Sequence, residues 1–103
     1  MEKKYIQFDK NAKKEIERFP DKVQAKLKMF LEVLSRDGKL IEPYGKKIEN
    51  NLFEIRICCG GQWRIIYAYI MENVIVVLSG FHKKTQQTAK AEIAKAKYRL
   101  RSY

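Results

Sequence analysis

The 103 residues predict an α+β fold of order β-α-α-β-β-β-α, an antiparallel-rich sheet packed on an N-terminal helical hairpin, with a basic C-terminal helix. Three observations lead there. Val23, Leu27, Phe30, Leu31 and Leu34 recur at helical spacing. Phe53, Ile55 and Ile57, then Trp63, Ile65, Tyr67 and Tyr69, fall on alternate positions, the period of half-buried strands. Between these two runs stands Cys59-Gly60-Gly61, a turn signal that joins them as a hairpin. The length suits one domain, residues 1–103.

The elements come in this order. Lys4 to Phe8 alternates and reads as a short strand. Asp9 or Asn11 can cap a helix running to Phe19. Pro20 stops that helix and opens the next, which carries the apolar face named above and keeps Lys22, Lys26, Lys28 and Glu32 outside. Gly38 ends it, and Pro43 and Gly45 mark a loop. Lys47-Ile48-Glu49 forms a short strand closed by a turn at Asn50-Asn51. After the hairpin and a turn at Met71-Glu72-Asn73, the run from Val74 to about Phe81 is apolar on both faces, the pattern of a covered central strand. A final helix from about Ala89 to Arg101 shows a narrow apolar stripe, Ala89, Ile93, Ala96 and Leu100, and is otherwise mostly Lys and Arg.

The hairpin register is set by parity. Directly opposed side chains share a face, so burying both odd-numbered sets together requires odd to pair with odd. A three-residue loop pairing Cys58 with Gln62 does this; a two-residue Gly-Gly turn opposes Arg64 to Ile57 and is rejected. Arg56 and Arg64 then stand side by side on the even face, flanked by Glu54. Two guanidiniums so placed repel unless something anionic bridges them. Either Glu54 pairs with one and the other meets solvent, or the pair is a phosphate clamp, since guanidinium forks match phosphate oxygens. Because Arg64 lies opposite the Trp63 and Ile65 face, its removal is expected to open no core cavity. A turn of either two or three residues before the last strand brings Gly80 or Phe81 beside Arg64, and hence His82, Lys83 and Lys84 near the pair.

The net charge is +10, with a pI near 9.7, and +6 of it falls between His82 and Tyr103, where seven cations face the single acid Glu92. A field of this sign concentrates polyanions. Nucleic acid leads, because each neutralised phosphate releases condensed counterions; a membrane surface or an acidic protein answers to the same field. The most apolar window, residues 74–78, is too short to cross a bilayer, and residues 1–8 lack the apolar region of a signal peptide, so a cytoplasmic location is expected. Cys58 and Cys59 are adjacent and point to opposite faces of a strand, which does not suit a disulfide; with one His in the chain, zinc ligands are too few.

Four segments occur together in order: Leu40-x-x-Pro43-x-x-Lys46, Leu52-Phe53-Glu54-Ile55-Arg56, Trp63-Arg64-Ile65-Ile66-Tyr67 and Gly80-Phe81-His82-Lys83-Lys84-Thr85-Gln86. This ordered set resembles the phage-derived HigB-like branch of the RelE/ParE toxin superfamily, over roughly residues 38–101. The resemblance implies the toxin of a type II toxin–antitoxin system. It also implies a ribosome-dependent mRNA endonuclease without metal or other cofactor, and a helix-turn-helix, HigA-like antitoxin as partner. In such an enzyme the mRNA 2′-hydroxyl attacks its neighbouring phosphate, which needs a base, cations for the charge on phosphorus, and an acid for the leaving 5′-oxygen. The positions that match the family's cations are Lys46 or Lys47, Arg56, Arg64, and Lys83 or Lys84. Arg56 and Arg64 serve the phosphate, and a lysine crowded by positive charge serves as base. His82, the only histidine, is an acid–base candidate or a plain surface residue; Tyr98 and Tyr103 are further candidates, and Trp63 belongs to the core. Lys90, Lys95, Lys97, Arg99 and Arg101 are expected to hold RNA and ribosome. One departure stands out: several RelE-type enzymes carry a tyrosine near the start of the last helix, and Thr85 to Ala91 has none. A ParE-like gyrase inhibitor and a non-catalytic RNA-binding module of the same fold are the alternatives.

Overall fold

The computed structural model describes residues 3–84 and 90–103. The expected start of the terminal helix, Ala89, and the Thr85-Gln86 end of the last motif lie outside the described residues. The elements are β1 (Tyr5–Phe8), α1 (Lys10–Glu17), α2 (Asp21–Asp37), β2 (Gly45–Glu49), β3 (Leu52–Cys58), β4 (Gln62–Met71), β5 (Val74–Lys83) and α3 (Lys90–Leu100). The expected order thus stands, with a longer second strand and a shorter first helix. Asp9 is the N-cap of α1, its carboxylate accepting from the Asn11 and Ala12 amides, and Asn11 falls inside the helix.

The five strands run β1-β5-β4-β3-β2. Only β1 is parallel to its neighbour, β5. This puts β5 between two partners and explains its two apolar faces. The hairpin register matches the parity derivation: Cys58 opposes Gln62, Ile57 opposes Trp63, Arg56 opposes Arg64 and Ile55 opposes Ile65. Its loop needs Gly60 at φ 61° and Gly61 at φ 137°, conformations that L side chains rarely adopt.

The two faces of the sheet are covered differently. The odd face packs on α1 and α2, where Ala12, Ile16, Phe19, Val23, Leu27 and Leu34 meet Ile55, Ile57, Ile65, Tyr67, Ile75 and Val77. The even face carries α3, whose Ala96, Ile93 and Leu100 sit on Leu52, Ile66, Ala68, Val76 and Leu78. The apolar even-face cover therefore ends about where the arginines begin. Among the described residues, no helix is long and apolar enough to cross a membrane.

Gly80, opposite Ile65 on β5, lets α1 approach closely. A Cβ there would lie 2.8 Å from Ile16 Cγ1 and 3.0 Å from Phe19 Cζ, and the Gly80 amide donates to Glu15 at 3.2 Å. Gly80→Val is expected to cost about 1–3 kcal/mol by overpacking, and thermal unfolding measures it as a fall of several degrees in Tm. An unchanged Tm would mean that α1 stands off the sheet at this point.

Candidate functional site: an arginine pair on the even face

Strand parity and register set the site. Three rows cross the even face at the end that α3 leaves. Lys46 of β2 opposes Glu54 of β3, which opposes Ile66 of β4. Arg56 opposes Arg64, which opposes Phe81 of β5, and Cys58 opposes Gln62, which opposes Lys83. Lys46, Arg56, Arg64 and Lys83 therefore share one face.

Glu54 holds the middle. It is 3% exposed, and its Oε1 accepts from Arg56 Nε at 3.0 Å, while Oε2 lies 4.0 Å from Arg64 Nε. The two arginines differ sharply. The Arg56 side chain is 28% exposed, but Arg64 is buried. Arg64 donates from Nη1 to the Trp63 carbonyl at 3.0 Å and from Nη2 to Gln62 Oε1 at 3.3 Å, and its Nε has no hydrogen-bond partner among the described residues. The same Gln62 oxygen accepts the Cys58 thiol at 3.1 Å. Neither sequence alternative describes this alone: Glu54 bridges both cations, and solvent reaches Arg56 rather than Arg64. A cleft of about 330 Å³ opens at the pair.

Two candidates lie on the other face. Lys47 opposes Phe53, an odd position, and His82 opposes Trp63, on which its ring stacks with centroids 4.3 Å apart. The pairing register turns both away from the guanidinium pair, and for His82 it does so through the register shift between Val77 and Ser79. Trp63 also packs against Phe19, as expected of a core residue. Lys84 is exposed just past β5.

The cations of α3 are mostly engaged within the chain. Arg99 donates to both Glu15 oxygens at 2.9 Å and to the Leu78 carbonyl at 2.8 Å, and approaches Asp9 at 3.8 Å. Lys95 bridges Glu15 and Glu92, and Lys97 pairs with Glu49. The Tyr103 hydroxyl donates to Asp9 at 2.9 Å. Of the five residues expected to hold RNA and ribosome, only Lys90 and Arg101 are exposed without a salt bridge among the described residues. Tyr98 is 71% exposed. Sequence reasoning did not find Glu15 as the anchor of α3, since nothing local links it to positions 80 and 84 residues away.

A sequence profile of the family "Phage derived protein Gp49-like" matches residues 14–101. The chain belongs to the phage-derived Gp49-like family. Direct comparison with curated protein sequences finds no significant match. Among solved structures, this Gp49-like chain is similar to the E. coli toxin RelE. That structure is of a double arginine-to-alanine mutant in the free state; the TM-score is 0.73 at 23% identity, covering 95% of this chain and 98% of that one. It is also similar to the intact E. coli RelBE toxin–antitoxin complex (TM-score 0.66, 23% identity, 80% and 99% covered). A third is the RelB–RelE complex of Methanococcus jannaschii (0.60, 22%, 74% and 88%). The Gp49-like chain thus has the RelE fold.

Glu15 makes the α3 contact pH-sensitive. Burial alone raises its carboxyl pKa, but hydrogen bonds from Arg99, Lys95 and the Gly80 amide outweigh burial and hold it below the usual 4.5. A carboxylate held lower in the folded chain stabilises it fully above the unfolded value and loses that contribution as pH falls through the folded one. Below about pH 4.5, Tm is therefore expected to fall more steeply in the native protein than in Glu15→Gln. Parallel curves would show that Glu15 does not clamp α3.

Proposed function

We propose that the chain, as one toxin domain over residues 1–103, is the toxin of a type II toxin–antitoxin system that cleaves mRNA on the ribosome without a metal ion. The observation that carries this reading is the Arg56–Glu54–Arg64 triad at the uncovered end of the even face, with Lys46 and Lys83 in the flanking rows. Arg56, the solvent-reached member, contacts the scissile phosphate and the charge that grows on it. Arg64 and Glu54 position Arg56. Lys46 and Lys83 stand where a base for the 2′-hydroxyl and an acid for the 5′-oxygen are needed, on the same face as the phosphate. Lys47 and His82 fall outside this arrangement, since their face is turned away. Lys84, Lys90 and Arg101 remain free to meet ribosomal RNA in the cytoplasm. RelE's occurrence with RelB in solved complexes supports an antitoxin partner here, and the sequence resemblance favours a HigA-like one.

The test combines purified protein, ribosomes and a defined message, with RNA ends mapped. Cleavage is expected only with ribosomes and to persist in chelator. Arg56→Ala, at a partly exposed position, is expected to keep its fold and ribosome association and to cut at least about a hundredfold more slowly. Intact message alongside collapsed DNA supercoiling in expressing cells would instead support gyrase inhibition. Arg64→Ala is a poorer probe, because it strips a buried partner from Glu54 and is expected to lower stability as well as rate.

A further inference from the structure

We propose that the cleft beside the arginine pair is a nucleotide site, in which Tyr44 stacks on the base of a single-stranded ribonucleotide while Arg56 holds its phosphate. The choice of RNA rests on the endonuclease reading above; the site itself rests on geometry. The cleft volume, about 330 Å³, is that of a small-ligand pocket. One wall is cationic, made by Arg56 and Arg64. The other is aromatic, made by Phe30 of α2 and Tyr44 of the loop before β2, whose rings lie 5.4 Å apart and 33° from parallel. Tyr44 is 51% exposed, so Phe30 backs part of its ring and leaves the rest available. An exposed aromatic beside two guanidiniums matches the two halves of a nucleotide, a π-faced base and an anionic phosphate.

The spacing between the halves is fixed by the backbone. The Arg56 amide donates to the Tyr44 carbonyl at 2.8 Å, and the Tyr44 amide donates to the Ile41 carbonyl at 3.0 Å. The residue that meets the phosphate thus also anchors the residue that meets the base. Lys26, on α2, adds a cation at the rim. The catalytic face gains an aromatic from the loop side, whereas the stretch from Thr85 to Ala91 offers no tyrosine.

Adenosine 3′-monophosphate, uridine 3′-monophosphate and inorganic phosphate are the probes, titrated by calorimetry into the native protein, Tyr44→Phe and Tyr44→Leu. Leucine keeps apolar cover over Phe30 but removes the π face. Both nucleotides are expected to bind the native protein and Tyr44→Phe about tenfold or more tighter than phosphate does. In Tyr44→Leu that preference is expected to vanish while phosphate affinity stays. Equal binding of nucleotide and phosphate by the native protein, or a preference that survives in Tyr44→Leu, overturns the site. The ribosome assay separates the two readings. Tyr44-dependent nucleotide binding in a protein that cuts no message keeps the site and removes the endonuclease. Wild-type cleavage by Tyr44→Leu keeps the endonuclease and removes the site.

Discussion

The register of the β3–β4 hairpin is the constraint on which the rest depends. Side chains alternate with period two, so a slip of one residue would turn every even-numbered group onto the helical side and every odd one away from it. Arg56, Arg64 and Glu54 would then face the apolar surfaces of α1 and α2, and Ile55 and Ile65 would leave the core. The Cys59-Gly60-Gly61 loop prevents this, because its two glycines supply the positive φ values that a three-residue connection uses here. Burial of Ile55, Ile57 and Ile65 at 0–1% exposure enforces the same register from within.

That register places like charges together, and the fold answers with one carboxylate for two guanidiniums. Glu54 relieves the repulsion without cancelling it: the triad keeps a formal charge of +1. Placed where one side is protein and the other a cleft, this residual charge is screened less than a surface arginine would be. A second anion is therefore attracted to the exposed member, Arg56. Burial of Arg64 reduces its freedom to move toward an anion and makes it a fixed part of the wall. A preorganised cation of this kind loses little on binding, which is what stabilisation of developing charge requires.

The same fold redistributes the chain's basic field. The C-terminal segment holds most of the excess charge in sequence, but α3 pairs Lys95 and Arg99 with Glu15 and Lys97 with Glu49. Glu15 accepts one hydrogen bond from Lys95 and two from Arg99 and also accepts from Gly80, so α1, β5 and α3 meet at one carboxylate. The apolar stripe of α3 alone is thin, and this polar cluster fixes where the helix ends its cover of the even face. The uncovered remainder is the face that carries the arginines. The positive potential available to a partner thus shifts from the helix toward the sheet.

Alternation is a local property, and its consequences were legible in the sequence. The odd apolar set, the pairing of Arg56 with Arg64, the central place of β5 and the helical hairpin needed only the spacing of residues along the chain. The capping choice between Asp9 and Asn11, two residues apart, already needed coordinates. Tertiary structure alone decided the rest. Arg64 is buried beside Glu54, with its guanidinium turned back onto the Trp63 carbonyl and the Gln62 side chain, which parity cannot report, and the expectation of a readily removed side chain fails for that reason. The sequence offers His82 for its nearness to the end of β5 and Lys47 for its match to the family's cations, yet each falls on the other face once the register of β5 and β2 is known. The engagement of Arg99 with Glu15 and the meeting of Tyr44 with the arginine pair join segments far apart in the chain. Sequence spacing fixes which face a strand residue occupies only while the ladder is unbroken, and the register shift in β5 at Leu78 breaks it. Which distant group covers a face, and so how exposed each cation is, is set by packing.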